Sequence, residues 1–401
     1  MYNRLLKRAR EMRGLSQDDL ANLIGTNAST ISDWERCQHQ PSAYFRDKLS
    51  IVLEKPPTEL GLLPREEPIE GFSPYDPLIP LPPTLVGRDE TLIQLRQHLQ
   101  GNRTLFTVLL GLPGVGKTAL ASTLARDPKL QRHFDGVLWA GLGPNPNSAV
   151  LLSRWGKLLG TSEMVETEAW MGTLRSALIG RSFLIILDDV WKREDVLSFQ
   201  IGGPHCAYIV TTRIPSLAAA LTVNGTVRIG ELSQDEGLAL VRQLAPQTVQ
   251  REESKIEKLI EAVGGLPLAL TLMGNYLRKK AYTGPARRMA DALEYLSHAD
   301  RRLQLSETLA PIDRHPSLDG NVLSLHALIA IVDHHLTNEG RRVLRMLASE
   351  FPANIFSEED ALVRNCSVET LDALLDAGLL EWTSEDRYTI HQIIADYART
   401  S

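Results

Sequence analysis

The sequence predicts a multidomain fold: an all-α module, then an α/β domain on a mostly parallel sheet, then a helical domain and a winged helix. Three observations predict it. Residues 1–63 read as short amphipathic helices. Apolar, strand-like runs at 104–110, 137–140, 183–187, 208–212 and 226–229 alternate with helical stretches, the pattern of parallel strands joined by crossover helices. From residue 231 the pattern is helical, broken by a strand pair at 380–382 and 388–390 around a turn at 384–386; helices followed by a small hairpin suggest a winged helix. The division is therefore 1–63, a proline-rich stretch 64–83, the α/β domain 84–230, a helical domain 231–315 and a winged-helix domain 316–401.

Within the first module, residues 15–42 have a distinct periodicity that places Leu20, Leu23, Ile31 and Trp34 on apolar faces. Gly25 separates two short helices, where a sharp turn needs a residue free of a side chain; Ser16 and Asn27 are the expected N-caps. Arg4, Lys7, Arg8, Arg10 and Arg13 make the first helix basic, but the eight acidic side chains of the module bring it near neutral overall. The stretch 64–83 holds Pro64, Pro68, Pro74, Pro77, Pro80, Pro82 and Pro83, which removes donors and rules out helix or central strand. It reads as a semi-extended interdomain linker or, alternatively, as an ordered arm packed on the next domain.

Composition narrows the function classes. The chain has 401 residues, is 43% hydrophobic and 23% charged, and carries a formal charge of −6, so any DNA contact must come from a local patch. Three cysteines, Cys37, Cys206 and Cys366, form no metal or redox spacing and suit reduced thiols. The N-terminus lacks an apolar signal core, and the longest apolar runs, 105–110 and 183–187, are too short to span a bilayer. These features lead to the expectation of a cytoplasmic protein without a membrane anchor.

The α/β domain carries the chemistry. Gly111-Leu112-Pro113-Gly114-Val115-Gly116-Lys117-Thr118 fits G-x4-G-K-[ST] without a mismatch, directly after an apolar strand and before a helix. Successive backbone N–H groups of Gly111, Gly114, Val115 and Gly116 can wrap phosphate oxygens, Lys117 can reach the β and γ phosphates, and the Thr118 hydroxyl can ligate magnesium. The helix from Lys117 through Ala119 adds its positive dipole end. About 70 residues later the strand 183–187 ends in Asp188 and Asp189. Asp188 is the expected magnesium carboxylate and Asp189 the group that orients or deprotonates an attacking water. Arg213 follows the run 208–212 at the carboxyl edge of the sheet, where it faces the γ-phosphate region. The implied cofactors are ADP or ATP with Mg2+.

The order Val86-Gly87-Arg88, GLPGVGKT, LIILDDVW, IVTTR, Gly265-Leu266-Pro267-Leu268 and Ile390-His391-Gln392 resembles the NB-ARC group of STAND ATPases over residues 84–401. That resemblance implies that Val86, Gly87 and Arg88 lie beside adenine and ribose and that Pro267 packs against the base. It implies that His391, the one match to the usual Met-His-Asp triplet, touches the β-phosphate of ADP and holds a closed state. It also implies a switch in which exchange of ADP for ATP permits self-association and slow hydrolysis resets it, with ATPase turnover slow at most. Such proteins usually carry a C-terminal repeat domain that senses the inducer; none is visible here, which leads to the expectation of either a truncated chain or a compact regulator that senses through another chain.

Residues 3–60 resemble the helix-turn-helix of phage-repressor-type DNA-binding proteins. The resemblance implies that the second helix enters the major groove, with Ala28, Ser29, Thr30, Ser32 and Asp33 toward bases or backbone and Gln17 clamping a phosphate. The expected function is a nucleotide-controlled transcription regulator; the alternative is a signalling or defence switch whose first module docks a protein.

Overall fold

The computed structural model describes residues 3–62, 75–101, 106–308 and 322–400, apart from residues 37, 40, 56, 58, 162, 163, 165, 282–285 and 384. Cys37, most of the proline-rich stretch, the first residues of the 104–110 run and Ser384 of the predicted turn lie outside that set. Among the described residues no helix is long and apolar enough to cross a membrane.

The first module is four helices: α1 (Arg4–Met12), α2 (Gln17–Ile24), α3 (Ala28–Glu35) and α4 (Ala43–Leu53). Ser16 caps α2 in a reciprocal box with Asp19, Gly25 turns the chain at φ +78°, and Asn27 caps α3. Leu6, Leu20, Ile24, Ile31, Trp34 and Leu49 form a core separate from the rest of the protein. Leu23 does not join it and is 59% exposed. The buried face of α2 is Leu20, Ala21 and Ile24, and at 3.6 residues per turn position 23 stands about 100° from its centre. Periodicity also gave no sign of the ion pair beneath this core: Arg10 donates to both carboxylate oxygens of the buried Glu35, at 2.7 and 3.2 Å.

Of the stretch read as a linker, the described residues from Tyr75 are a packed arm. Tyr75 bridges Val137 as a short parallel extension of the sheet. Asp76, fully enclosed, accepts from Arg154 at 3.0 Å and from the Leu78 N–H at 2.9 Å, and Ile79 enters the core. Proline kept this segment out of regular structure, yet extended backbone is what an edge addition requires.

The α/β domain opens with α5 (Asp89–Gln100). Its strands are β1 (Phe106–Leu110), β2 (Gly136–Gly141), β3 (Phe183–Val190), β4 (Ala207–Thr212) and β5 (Thr226–Arg228), all parallel in the order β2-β3-β4-β1-β5. The crossovers carry α6 (Lys117–Ala125), α7 (Pro128–Gln131), α8 (Ser148–Leu158), α9 (Thr167–Leu178), α10 (Arg193–Ser198) and α11 (Pro215–Leu221). β1 and β3 are buried throughout, as strands covered on both faces must be. One strand, β4, separates β1 from β3, so the ends of all three open on the same edge.

The helical domain is α12 (Gln234–Leu244), α13 (Pro246–Ala262), α14 (Pro267–Ala281), α15 (Ala286–Ser297) and α16 (Ala299–Leu303). A two-stranded antiparallel ribbon, β6 (Ser306–Thr308) with β7 (Val322–Ser324), follows; the sequence pattern had shown only helix there. The winged helix comprises α17 (Leu325–His335), α18 (Asn338–Glu350), β8 (Ile355–Phe356), α19 (Glu358–Leu362), α20 (Val368–Asp376), β9 (Glu381–Trp382), β10 (Tyr388–Thr389) and α21 (Gln392–Thr400). β9 and β10 are the predicted hairpin, and β8 adds a third strand. One apolar core runs from α6 and the adjoining face of the sheet through α12–α14 into α17, α18 and α21.

Candidate nucleotide site

The loop between β1 and α6 is shaped by close approach. A Cβ on Gly111 would run into the Ile229 carbonyl, and Gly114, at φ +82°, lies where a Cβ would stand 3.0 Å from Leu268 Cβ. The Leu268 N–H donates to the Gly114 carbonyl at 3.1 Å, so the first turn of α14 is fastened to the loop. Lys117 is the first residue of α6 and is buried; its ammonium donates to the carbonyls of Gly111 at 2.8 Å and Leu112 at 2.9 Å. Burial, and then the neighbouring Arg213, pull its pKa down to about 7, against the opposing pull of Asp189 and Asp188.

β3 outlasts the predicted run and carries both aspartates inside its last turn of pairing. The β3–β4 register shifts between Leu187 and Val190, and Asp189 sits at φ +57°. Left-handed backbone is tolerated by aspartate better than by most residues. Around this irregularity the Asp188 carboxylate meets α6 and the Asp189 carboxylate meets Arg213. Thr118 donates its hydroxyl to Asp188, with oxygens at 2.9 and 3.1 Å. Thr211, on β4, donates to Asp188 at 2.7 Å and accepts from the Asp189 N–H at 2.8 Å. Burial raises the Asp188 pKa to about 6; Thr211 opposes the rise, Asp189 adds to it, and Thr118 and Lys117 oppose it.

Arg213 donates Nη2 to Asp189 at 2.7 Å, a pair almost wholly out of water. Its guanidinium lies over the Trp191 ring, 4.7 Å from the centroid. Two cations and two carboxylates thus share one dry site, and their formal charges cancel.

Lys117, Thr118, Asp188, Asp189 and Arg213 line a cavity of about 710 Å³, within the range of small-molecule sites. The arm, Val86, Arg88, Pro267 and Leu268, and Leu328 of α17 supply the other walls, so all three domains after the first module face one space. Arg88 donates to the Gly230 carbonyl, and burial lowers its pKa. His391 does not line this cavity. It lies against Gly264, Nε2 3.4 Å from the carbonyl oxygen, and lines a small apolar cleft that also touches Leu112 and Pro113 behind the loop. The residues fit magnesium: the Thr118 hydroxyl and Asp188 carboxylate converge, and a small divalent cation takes one carboxylate, one hydroxyl and phosphate oxygens. Among the described residues no three His, Cys, Asp or Glu side chains cluster to hold a metal unaided.

Residues 88–250 match the model of the NB-ARC domain and residues 6–60 that of the helix-turn-helix. The chain carries an NB-ARC domain behind a helix-turn-helix. It is 28% identical over 335 residues to Regulatory protein AfsR of Streptomyces griseus, covering 79% of this chain and 32% of that protein. It is 24% identical over 338 residues to Disease resistance protein RPP13 of Arabidopsis thaliana, covering 77% of this chain and 39% of that protein. The chain spans between about a quarter and two-fifths of the length of such curated relatives. The fold of a Walker-type ATPase of Pyrococcus abyssi superimposes with a TM-score of 0.50 at 14% identity, over 80% of this chain and 99% of that one.

The structure brings together the loop, both aspartates and Arg213 that sequence reasoning singled out. That reasoning missed Thr211, whose place in a β-branched run signals only strand, and Trp191, two residues after Asp189. In the helix-turn-helix, Ser29 is exposed and Ala28, Thr30, Ser32 and Asp33 are half-buried on α3. Ser29 and Thr30 donate their hydroxyls to Asn27, at 2.7 and 2.8 Å. Gln17, expected to clamp a phosphate, donates its amide to Glu35 at 2.8 Å.

Proposed function

We propose that the chain is a nucleotide-dependent switch that regulates transcription: ADP or ATP with Mg2+ in the cavity sets how the winged helix and helical domain sit on the α/β domain, and thereby controls assembly and DNA binding. The cavity that holds Lys117, Asp188 and Arg213, walled by three domains, supports this reading most directly. A ligand there touches every layer that would have to separate.

Lys117 would leave its own loop carbonyls for the β and γ phosphates, and Arg88 and Pro267 would bound the base and ribose. Thr118 and Asp188 would hold magnesium, which would supply positive charge to the phosphates. Asp189 would orient the water that attacks the γ-phosphorus and take its proton as the bond to the β-phosphate oxygen breaks. Its pairing with Arg213 favours slow turnover, because the base is engaged before any water arrives. His391 would act from behind the loop, keeping the winged helix seated against Gly264.

A gel-shift series on selected DNA, run with ADP and with a non-hydrolysable ATP analogue, tests the reading. Affinity that differs between the two states supports it; equal, sequence-independent binding in both overturns it. The second reading, a module that docks a protein, has its own observation: α3 offers no arginine before Arg36, and Gln17 is already engaged. Failure of random-sequence selection to enrich any site would favour it. The cytoplasm is the compartment where such a regulator would work.

A further inference from the structure

Arg213 is 4% exposed, yet only its Nη2 donates, to Asp189; Nε and Nη1 are buried without a hydrogen-bond partner among the described residues. A guanidinium so short of acceptors is held by something else. That is Trp191, whose ring carries the guanidinium carbon at 4.7 Å. The same ring has a second neighbour, His335 at the end of α17, with centroids 4.7 Å apart and planes inclined by 38°. His335 is anchored in turn, its Nδ1 donating to the Ile331 carbonyl at 2.7 Å. At the backbone of Arg213, Gly378, in the loop after α20, packs so closely that a Cβ there would run into the Arg213 carbonyl oxygen. Arg213 is therefore touched by the nucleotide site and, at its backbone, by the loop after α20, while His335 of α17 reaches it through the Trp191 ring.

Resting on the reading of the cavity as a nucleotide site, we propose that Trp191 is a positioning residue for Arg213 and that His335 ties that position to the winged helix. The indole holds the guanidinium beside Asp189. A terminal phosphate offers acceptors to Nε and Nη1; turning them toward it lifts the guanidinium off the indole, and the Trp191–His335 contact loosens with it. ADP, without that phosphate, leaves the stack in place. Information about one phosphate then reaches α17 through two ring contacts.

The test compares the affinities of the full chain for ADP and for a non-hydrolysable ATP analogue in Trp191→Ala, Trp191→Phe, Arg213→Ala and the Trp191→Ala/Arg213→Ala double variant, with intrinsic fluorescence as a second readout. Trp191→Ala is expected to shift the ratio of analogue to ADP affinity at least fivefold, about 1 kcal/mol, with ADP affinity unchanged within twofold. The double variant is expected to match Arg213→Ala, and Trp191→Phe, which keeps an aromatic face, to recover most of the ratio. The analogue, but not ADP, is expected to change the emission of the parent protein, and Trp191→Phe should abolish that change. In the parent protein the analogue, and not ADP, is expected to expand the particle in X-ray scattering; His335→Ala should leave ADP affinity within twofold and diminish that expansion, and an undiminished expansion would remove His335 from the proposal. Equal scaling of both affinities in Trp191→Ala would mean simple packing and overturn the proposal, as would additivity in the double variant. An unchanged ratio in Arg213→Ala would remove phosphate sensing and the proposal with it. Undiminished nucleotide binding by Lys117→Ala would instead remove the nucleotide site itself.

Discussion

Thr211 donates its hydroxyl to the carboxylate of Asp188 at 2.7 Å across two neighbouring strands. The same oxygen accepts the Asp189 N–H, so one side chain serves both acidic residues. Thr211→Val keeps the shape, leaves a buried N–H without an acceptor at a cost of about 1–3 kcal/mol, and lets the Asp188 pKa climb further. The expected outcome is magnesium-dependent nucleotide binding weakened about tenfold, with binding in EDTA little changed. Calorimetric titration with and without magnesium checks it; equal losses under both conditions would contradict the role.

The Lys117 pKa of about 7 predicts a pH dependence. Below pH 7 the lysine is charged in the free and the nucleotide-bound protein, so affinity should be flat with respect to this group. Above pH 7 the free protein gives up the proton, whereas phosphate holds it in the complex. Binding must then take up a proton, and affinity should fall by up to about tenfold per pH unit. Titrations in buffers of different ionisation enthalpy measure that uptake directly. Lys117→Ala should lose both the tight binding and the proton uptake.

Asp189→Asn removes the charge that balances Arg213. Nucleotide binding should persist while hydrolysis slows by about 10²–10⁴-fold, the usual worth of a general base. The nucleotide-free protein should also lose about 3–5 kcal/mol, because a buried cation is left without its partner. Single-turnover assays and denaturant melts separate the two effects.

Glu35→Ala should cripple the first module by the same logic. Arg10 and Glu35 are both buried and joined by two hydrogen bonds, so about 3–5 kcal/mol is at stake. Loss of amide protection confined to residues before 63, with nucleotide binding intact, is the expected hydrogen-exchange result.

Gly264→Ala would place a methyl 2.8 Å from Nε2 of His391, at a backbone φ of +58° that L residues resist. ADP release should accelerate in this variant and in His391→Ala alike, since either unseats the winged helix from behind the loop. Stopped-flow release of a fluorescent ADP measures it, and unchanged release in both would show that His391 does not hold the closed form.

What was legible in the sequence was whatever a contiguous stretch dictates. The phosphate loop is one run of glycines with a lysine, and the caps at Ser16 and Asn27 act within three residues. What stayed hidden depends on partners far apart in the chain. Arg10 and Glu35 are 25 residues apart, and Thr211 and Asp188 are 23; each reads locally as a surface charge or an ordinary strand residue. The arm at Asp76 read as linker because proline excludes regular structure, and nothing local announces Arg154 as its partner, 78 residues on. His391 was found by a motif, and only the fold shows that it faces Gly264 instead of lining the cavity.

The continuous apolar core from the sheet to α21 has a thermal consequence. If nucleotide exchange needs those layers to part, it must wet hydrocarbon on the way, and wetted hydrocarbon raises heat capacity. The rate of exchange would then bend away from a straight Eyring line as the sample is warmed. A gate made only of side chains at the cavity mouth would leave that line straight.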